Sequence, residues 1–133
     1  AAVIKAKSPE DFYDLFNVKA SSYWETHYTF GKDSPKRVKK LSKSFIELLI
    51  INAIIPVKFM YAKSLGVDGL EEILNLLKLL KPEQNSVMKK FNDLKLEIEH
   101  AVDSQAFIEL KTNYCDYNKC LKCEIGNKLL YAQ

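Results

Sequence analysis

The chain has 133 residues, of which 47% are hydrophobic and 28% charged, with only 4 Gly and 4 Pro. This length and composition predict a single helical domain over residues 1–133 and exclude long disordered runs. Because the net charge of +3 is mild, binding to nucleic acid or membrane would require a local concentration of charge.

The first helix is predicted to begin at Ser8-Pro9, which supplies a hydroxyl cap and a proline at the first helical position. Apolar residues at helical spacing extend this helix to about residue 20. The next segment, residues 23–30, is dense in aromatic residues that would share faces at helical spacing, and it should end in a helix stop or a turn at the glycine that follows. We interpret its rings as core and His27 as a hydrogen-bonded packing residue.

A second cap and first-turn proline occur at Ser34-Pro35, so another helix is predicted to begin there. Its first turns would carry several cations, although the helix dipole favours acids at this end. A helix start with free amides and nearby cations is a candidate site for phosphate or another anion, including a nucleic acid backbone. The candidate anion-binding residues are Lys32, Lys36, Arg37, Lys39 and Lys40. Alternatively, these cations form a solvated face that offsets nearby acids.

The apolar stretch at residues 45–62 is the predicted centre of the fold. Its apolar residues fall on every side of a helical wheel, which predicts a helix buried among other helices. The stretch is shorter than a membrane span of about 20 residues and contains Glu47, Asn52 and Lys58, so we expect burial in protein and no membrane. Pro56 lacks an amide hydrogen and should kink or interrupt this helix, with Asn52 as a buried amide that needs hydrogen bonds.

Further helices are predicted toward the C-terminus. Asp68 and Glu71 have the spacing of a capping box and predict a leucine-rich helix after them. Another helix is expected at residues 83–94, and an extended link at residues 95–102 leads to a helix capped by residues 103 and 104. We therefore predict an all-α fold: a single compact bundle of about six helices around a buried, proline-interrupted central helix.

All three Cys residues lie in the last nineteen residues, at the spacing Cys-x4-Cys-x2-Cys. Thiolates at such spacing are typical of zinc and iron–sulfur sites, which need four ligands. The candidate metal ligands are Cys115, Cys120, Cys123 and His100, with His27 or Glu124 as alternatives for the fourth position. Other interpretations are three reduced thiols that pack as small apolar groups without a cofactor, or a disulfide between Cys115 and Cys120. The odd number of Cys, with no signal-peptide pattern before them, favours a cytoplasmic protein.

Several motifs together resemble one known family. They are Tyr23-Trp24, His27-Tyr28, Phe30-Gly31-Lys32, Ile51-Asn52 with Pro56, Glu83 with Asn85, Asp103-Ser104-Gln105, and a tail from Tyr114-Cys115 through Cys120-Leu121 and Cys123 to Ile125-Gly126. The chain is similar to the C-terminal part of an uncharacterised bacterial family, found largely in Bacteroidetes and known as domain of unknown function 2851. The resemblance implies no established activity, cofactor or catalytic residue. It implies a longer parent protein whose N-terminal part could supply a fourth metal ligand or an active site.

Three kinds of function remain open from the sequence. The first is a helical accessory domain of a larger cytoplasmic protein that binds an anion or a nucleic acid backbone at the basic helix start. The second is an interaction module whose exposed face docks on the missing N-terminal part of the parent chain. The third is part of an enzyme that uses His27 or His100 with a Cys or a bound metal. Spacing alone assembles no nucleophile, base and orienting acid, so no catalytic residue is assigned.

Overall fold

The computed structural model describes residues 2–131, and most of this range is helical. Its helices are α1 (Ala2–Lys5), α2 (Pro9–Leu15), α3 (Ser22–Glu25), α4 (Lys43–Leu49), α5 (Ile55–Ser64), α6 (Leu70–Leu79), α7 (Ser86–Asp93), α8 (Ala101–Asn113) and α9 (Glu124–Tyr131). A π-helical turn at Ile50–Ile54 joins α4 to α5, and 3-10 turns lie at Cys115–Tyr117 and Cys120–Lys122. The strands β1 (His27–Thr29) and β2 (Lys32–Asp33) pair as an antiparallel hairpin. The predicted all-α class is confirmed, with this short hairpin added to it.

The chain forms two compact units, of which the first runs to Leu79 and the second begins at Leu80. The first unit is built around the long helix Lys43–Ser64, which consists of α4, the π-helical turn and α5. This helix contacts α2 and α6, and it buries side chains that are spaced four residues apart along one face. Those side chains are Ile46, Ile50, Ile54 and Lys58. A fully buried Ile side chain stabilises a fold by about 1.5–3 kcal/mol, so this face supplies much of the unit's core energy. The prediction of one domain over residues 1–133 stays a prediction.

The long helix is not buried on all sides, and this part of the prediction is wrong. Only 33% of its apolar stretch is buried, and its outer side chains include Phe45 and Met60, which are 48% and 60% exposed. The reason is that α2 and α6, which contact this helix, pack on one side of it. Within the described residues, this helix is the one long and apolar enough to cross a membrane by length and composition.

Pro56 does not interrupt the long helix. The Ile55 amide donates to the Ile50 carbonyl five residues earlier, and this wider π turn carries the chain into α5, where Pro56 lies in the first turn. The wider turn accommodates Pro56, which has no amide hydrogen to donate. Asn52 is exposed rather than buried, and its side-chain amide donates to the Leu48 carbonyl at 3.1 Å. The predicted kink is therefore replaced by a π turn.

The N-terminal helix begins as predicted but ends early. The Ser8 hydroxyl accepts a hydrogen bond from the Asp11 amide at 3.2 Å, while the Asp11 carboxylate accepts from the Ser8 amide at 3.0 Å. Backbone hydrogen bonds from Lys7 and Ser8 lower the pKa of the Asp11 carboxyl below its ordinary value. The helix then stops at Leu15, because residues beyond it pair with a distant segment: the Ala20 amide donates to the Lys39 carbonyl.

The second unit is built around α7 and α8, which contact each other through the stacked rings of Phe91 and Phe107, 4.5 Å apart. The predicted helix start at residues 103 and 104 lies too late, because α8 begins at Ala101 with His100 at its N-cap. The last helix packs closely on the 3-10 turn before it. A Cβ atom on Gly126 would lie 2.3 Å from the Cys120 carbonyl oxygen, so only glycine fits at this approach.

Candidate functional site

The aromatic run at residues 23–30 forms a short helix and a hairpin, so the predicted continuous helix is wrong. Gly31 adopts a positive φ of 69°, which glycine reaches without steric cost and which turns β1 back toward β2. The Gly31 amide donates to the Tyr23 hydroxyl at 3.0 Å, and the Phe30 ring contacts Trp24 edge-to-face at 5.0 Å. The Tyr23 side chain of α3 therefore fixes the turn. Helical periodicity could not reveal this contact, which joins residues eight positions apart.

The segment after the hairpin, residues 34–40, which we call the basic segment, is not helical, which corrects the predicted helix start at Ser34-Pro35. The Ser34 amide donates to the Thr26 carbonyl at 2.7 Å, and the Arg37 amide donates to the Glu25 carbonyl at 2.8 Å. The long helix begins later, at Lys43, where the Ser42 hydroxyl accepts from the Phe45 amide. Residues 36–40 thus lie before the first turn of the long helix. The helix dipole would oppose positive charge within that turn. These residues therefore do not form a helix N-terminus, and anion binding by them stays a prediction.

The predicted cations nevertheless come together on one irregular surface. An antiparallel bridge between Lys19 and Lys40 extends the pairing of the basic segment with residues 20–26. We call the cations of residues 19–40 the basic surface; they are Lys19, Lys32, Lys36, Arg37, Lys39 and Lys40. The acids in the same range are Glu25 and Asp33, and Lys36 lies 3.7 Å from Glu25. An exposed ion pair of this kind contributes at most about 1 kcal/mol, so it leaves Lys36 available to a ligand.

Lys39 has a structural role on this surface. Its ammonium group donates to the His27 carbonyl and lies 3.5 Å from the centroid of the Tyr28 ring, in a cation–π contact. The side chain therefore holds the basic segment against β1. The five other cations of the basic surface are exposed.

His27 is hydrogen-bonded within the hairpin. Its Nε2 atom lies 3.0 Å from an Asp33 carboxylate oxygen, and its Nδ1 atom lies 2.9 Å from the Tyr23 carbonyl oxygen. The imidazole also stacks on the Tyr23 ring at 4.0 Å. These contacts tie β1 to β2 and to α3, which agrees with the interpretation of His27 as a hydrogen-bonded packing residue. They bring no nucleophile in a position that would suggest an enzyme.

An ion pair between a buried lysine and a partly exposed glutamate joins the long helix to α6, and sequence reasoning did not find it. Lys58, only 6% exposed, donates to the Ile4 and Ala6 carbonyls at 2.8 Å each and lies 2.9 Å from a Glu72 carboxylate oxygen. The hydrogen bond from Lys58 lowers the pKa of the Glu72 carboxyl below its ordinary value. A cavity of about 220 Å³ lies beside the pair. Because all three ammonium protons of Lys58 are used in these contacts, we interpret Lys58 as a structural anchor between the long helix and its neighbours. The sequence signal for this role was a lysine inside an apolar helix.

The cysteine tail brings its three thiols to one place but does not bring His100 with them. Cys115, Cys120 and Cys123 carry free thiols and line one apolar cavity of about 180 Å³. His100 caps the start of α8, whose 13 residues span about 20 Å, whereas Cys115 follows its end. Among the described residues, no group of three or more His, Cys, Asp or Glu is positioned to hold a metal ion. The zinc or iron–sulfur site therefore lacks a converging ligand set in residues 2–131.

The long helix carries several large apolar side chains that are exposed. We define the outer face by these side chains, which lie outside the buried stripe. They are Phe45, Leu48, Val57, Phe59 and Met60, each between 43% and 60% exposed. Isolated exposed apolar residues are ordinary, but several on one helix side indicate a contact surface for another molecule.

The fold and its surfaces define a small helical protein with a basic hairpin region and an apolar outer helix face. The family described as "Protein of unknown function (DUF2851)" matches residues 1–86. Because this range covers more than half of the 133 residues, the chain belongs to that family. The matched range includes the basic surface and the long helix, whereas the cysteine tail lies outside it. No curated protein and no solved structure matches the chain. The place of this chain within a longer bacterial parent protein stays a prediction.

Proposed function

We propose that this chain is a helical accessory domain of a larger cytoplasmic protein and that its basic surface binds the phosphate backbone of nucleic acid. The observation that carries this proposal is the local concentration of charge. Residues 19–40 hold six cations and two acids, out of 20 cations and 17 acids in the whole chain. The remaining residues therefore hold 14 cations and 15 acids, so the net positive charge of the chain comes from residues 19–40.

The geometry supports a role in binding rather than in folding. Five of the six cations are exposed, and the surface is held in place by backbone hydrogen bonds and by Lys39. The other cations can therefore contact phosphates without breaking contacts that hold the hairpin. Phosphate contacts of this kind release counterions, so the affinity should fall steeply as the salt concentration rises.

A charge-matched pair of variants tests this proposal. The first combines Lys36→Ala, Arg37→Ala and Lys40→Ala on the basic surface. The control combines Lys5→Ala, Lys63→Ala and Lys78→Ala, which remove the same charge from exposed positions elsewhere in the first unit. Fluorescence anisotropy with labelled oligonucleotides at low salt should show at least about a tenfold loss of affinity for the first variant and a much smaller loss for the control. Equal losses, or no binding of DNA and RNA by the wild type, would contradict the proposal.

A second role rests on a different observation, the apolar outer face. We propose that this face docks on the part of the parent protein that lies outside this chain. The face consists of apolar side chains, with the exposed Lys63 one turn beyond Met60, and belongs to a helix whose inner side is already packed on α2 and α6. A partner helix or strand that covers five exposed apolar side chains would remove apolar surface from water, which is favourable by roughly 25 cal/mol per Å². Co-expression of this chain with the remainder of the parent protein should yield a stable complex, and two parts that never associate would exclude this role.

A further inference from the structure

Two exposed aromatic rings lie within the basic surface. Phe30, at the tip of the hairpin, is 82% exposed, and Tyr28, in β1, is 66% exposed. We infer that the basic surface prefers single-stranded to double-stranded nucleic acid, because these rings offer faces on which unpaired bases stack. This inference rests on the proposed function and adds to it the class of nucleic acid that is bound.

The exposure of Phe30 is not explained by folding. Full burial of a phenylalanine side chain stabilises a fold by about 1.5–3 kcal/mol, but the Phe30 ring stays mostly in water. Its position is nevertheless defined, because its ring contacts Trp24 edge-to-face at 5.0 Å and lies 6.0 Å from the tilted Tyr23 ring. An aromatic ring that is held in place and open to solvent costs little entropy when a flat partner stacks on it.

Tyr28 combines a ring with a cation. The Lys39 ammonium lies over one face of this ring, 3.5 Å from its centroid, so a base would stack on the opposite face with a positive charge close by. Exposed rings interleaved with cations are typical of surfaces that bind single strands, where bases stack and phosphates pair with the charges. In a duplex the bases are already stacked inside, so the rings could not reach them. Reading a major groove also needs a helix or a two-stranded ribbon long enough to enter it, and β2 has only two residues.

The test compares Phe30→Ala with Phe30→Trp, which keeps a stacking ring, and with Phe45→Ala, which removes an exposed ring from the outer face. The probes are single-stranded oligo-dT, single-stranded oligo-U and a DNA duplex of equal length, followed by anisotropy at several salt concentrations. Trp24, the chain's single tryptophan, contacts Phe30 and reports stacking through its fluorescence. Vesicles containing phosphatidylserine serve as an anionic surface without bases.

The wild type should bind at least one of the two single strands more tightly than the duplex, and the comparison of oligo-dT with oligo-U shows whether the sugar matters. Phe30→Ala should weaken single-strand binding roughly 5- to 100-fold, with little change in duplex binding or in salt dependence. Phe30→Trp and Phe45→Ala should leave single-strand binding near the wild-type level. Equal binding of single strands and duplex, unaffected by Phe30→Ala, would overturn the inference while the proposed function stands. Absence of any nucleic acid binding at low salt, or preferential binding to the vesicles, would overturn both.

Discussion

The inner face of the long helix Lys43–Ser64 combines buried isoleucines with two ionisable residues, whereas its outer face carries large apolar side chains. On the inner side, Glu47 accepts a hydrogen bond from the Tyr13 hydroxyl at 2.5 Å, and Lys58 pairs with Glu72. The outer face, in contrast, consists of exposed apolar side chains. Charged residues of a soluble protein mostly face water, so this arrangement is unusual.

The comparison shows what fixes the orientation of a helix that is apolar all round. Hydrophobic burial alone does not distinguish its sides, because each side offers similar apolar area. The two ionisable residues do distinguish them, since Lys58 finds three acceptors and Glu47 finds a donor only on the inner side. The outer face is then left apolar and open, which supports its proposed role in docking.

The largest expected effect comes from removing the inner anchor. Lys58→Met leaves the Ile4 and Ala6 carbonyls and the Glu72 carboxylate without their donor, so the free energy of unfolding should fall by about 2–4 kcal/mol. Lys63→Met, which changes an exposed lysine of the same helix, should alter it by less than about 0.5 kcal/mol. Urea unfolding followed by circular dichroism measures both. Equal stability of the two variants would show that the inner ion pair does not orient the helix.

Substitutions on the outer face should change stability little and should weaken docking instead. The double variant Leu48→Glu and Met60→Glu replaces exposed residues with good helix formers, so its stability in isolation should stay within about 1 kcal/mol of the wild type. Its affinity for the remainder of the parent protein should fall at least about tenfold, because the carboxylates would be buried without partners. Leu79→Glu, on α6, is the control for added charge. The docking role fails if the double variant associates as well as this control.

The smallest expected effect concerns the Tyr13–Glu47 hydrogen bond. Burial, together with the acceptor Glu47, raises the pKa of Tyr13 from 10.0 to about 12. The unfolded state therefore loses its phenolic proton first, so this contribution to stability is present below pH 10 and is lost as the pH rises toward about 12. The wild type and Tyr13→Phe contain the same lysines, so the difference between them excludes the effect of lysine titration on stability. The stability of the wild type should decline more steeply between these pH values, and parallel curves would rule the effect out.

The elements that could be predicted from the sequence are those set by local chemistry. The hydroxyl cap and first-turn proline at Ser8-Pro9 identified the start of α2, and the apolar stretch identified the long helix. The aromatic run was misassigned because its conformation depends on the Tyr23 hydroxyl and on Gly31, eight residues apart. The basic segment was misassigned because its backbone pairs with residues 19–26, and such pairing leaves no mark on helical periodicity.

The two candidate sites differ in how much of them could be predicted. The cations of the basic surface come together because they are close in sequence. They therefore lie on one surface even though the secondary structure predicted for them was wrong. A metal site needs ligands that converge within a few ångströms, and α8 separates His100 from Cys115. The Lys58 pair could not be located from sequence, since its acceptors Ile4 and Ala6 lie 54 and 52 residues away.

The most direct test of the proposed function is the salt dependence of binding to single-stranded DNA by the wild-type chain. If the exposed cations of the basic surface contact phosphates, the logarithm of the association constant should fall linearly with the logarithm of salt concentration. Each contacted phosphate adds about −0.7 to the slope, so four contacts would give a slope of about −3. Binding that is absent at low salt, or that does not change with salt, would contradict the assignment of the basic surface as a nucleic acid site.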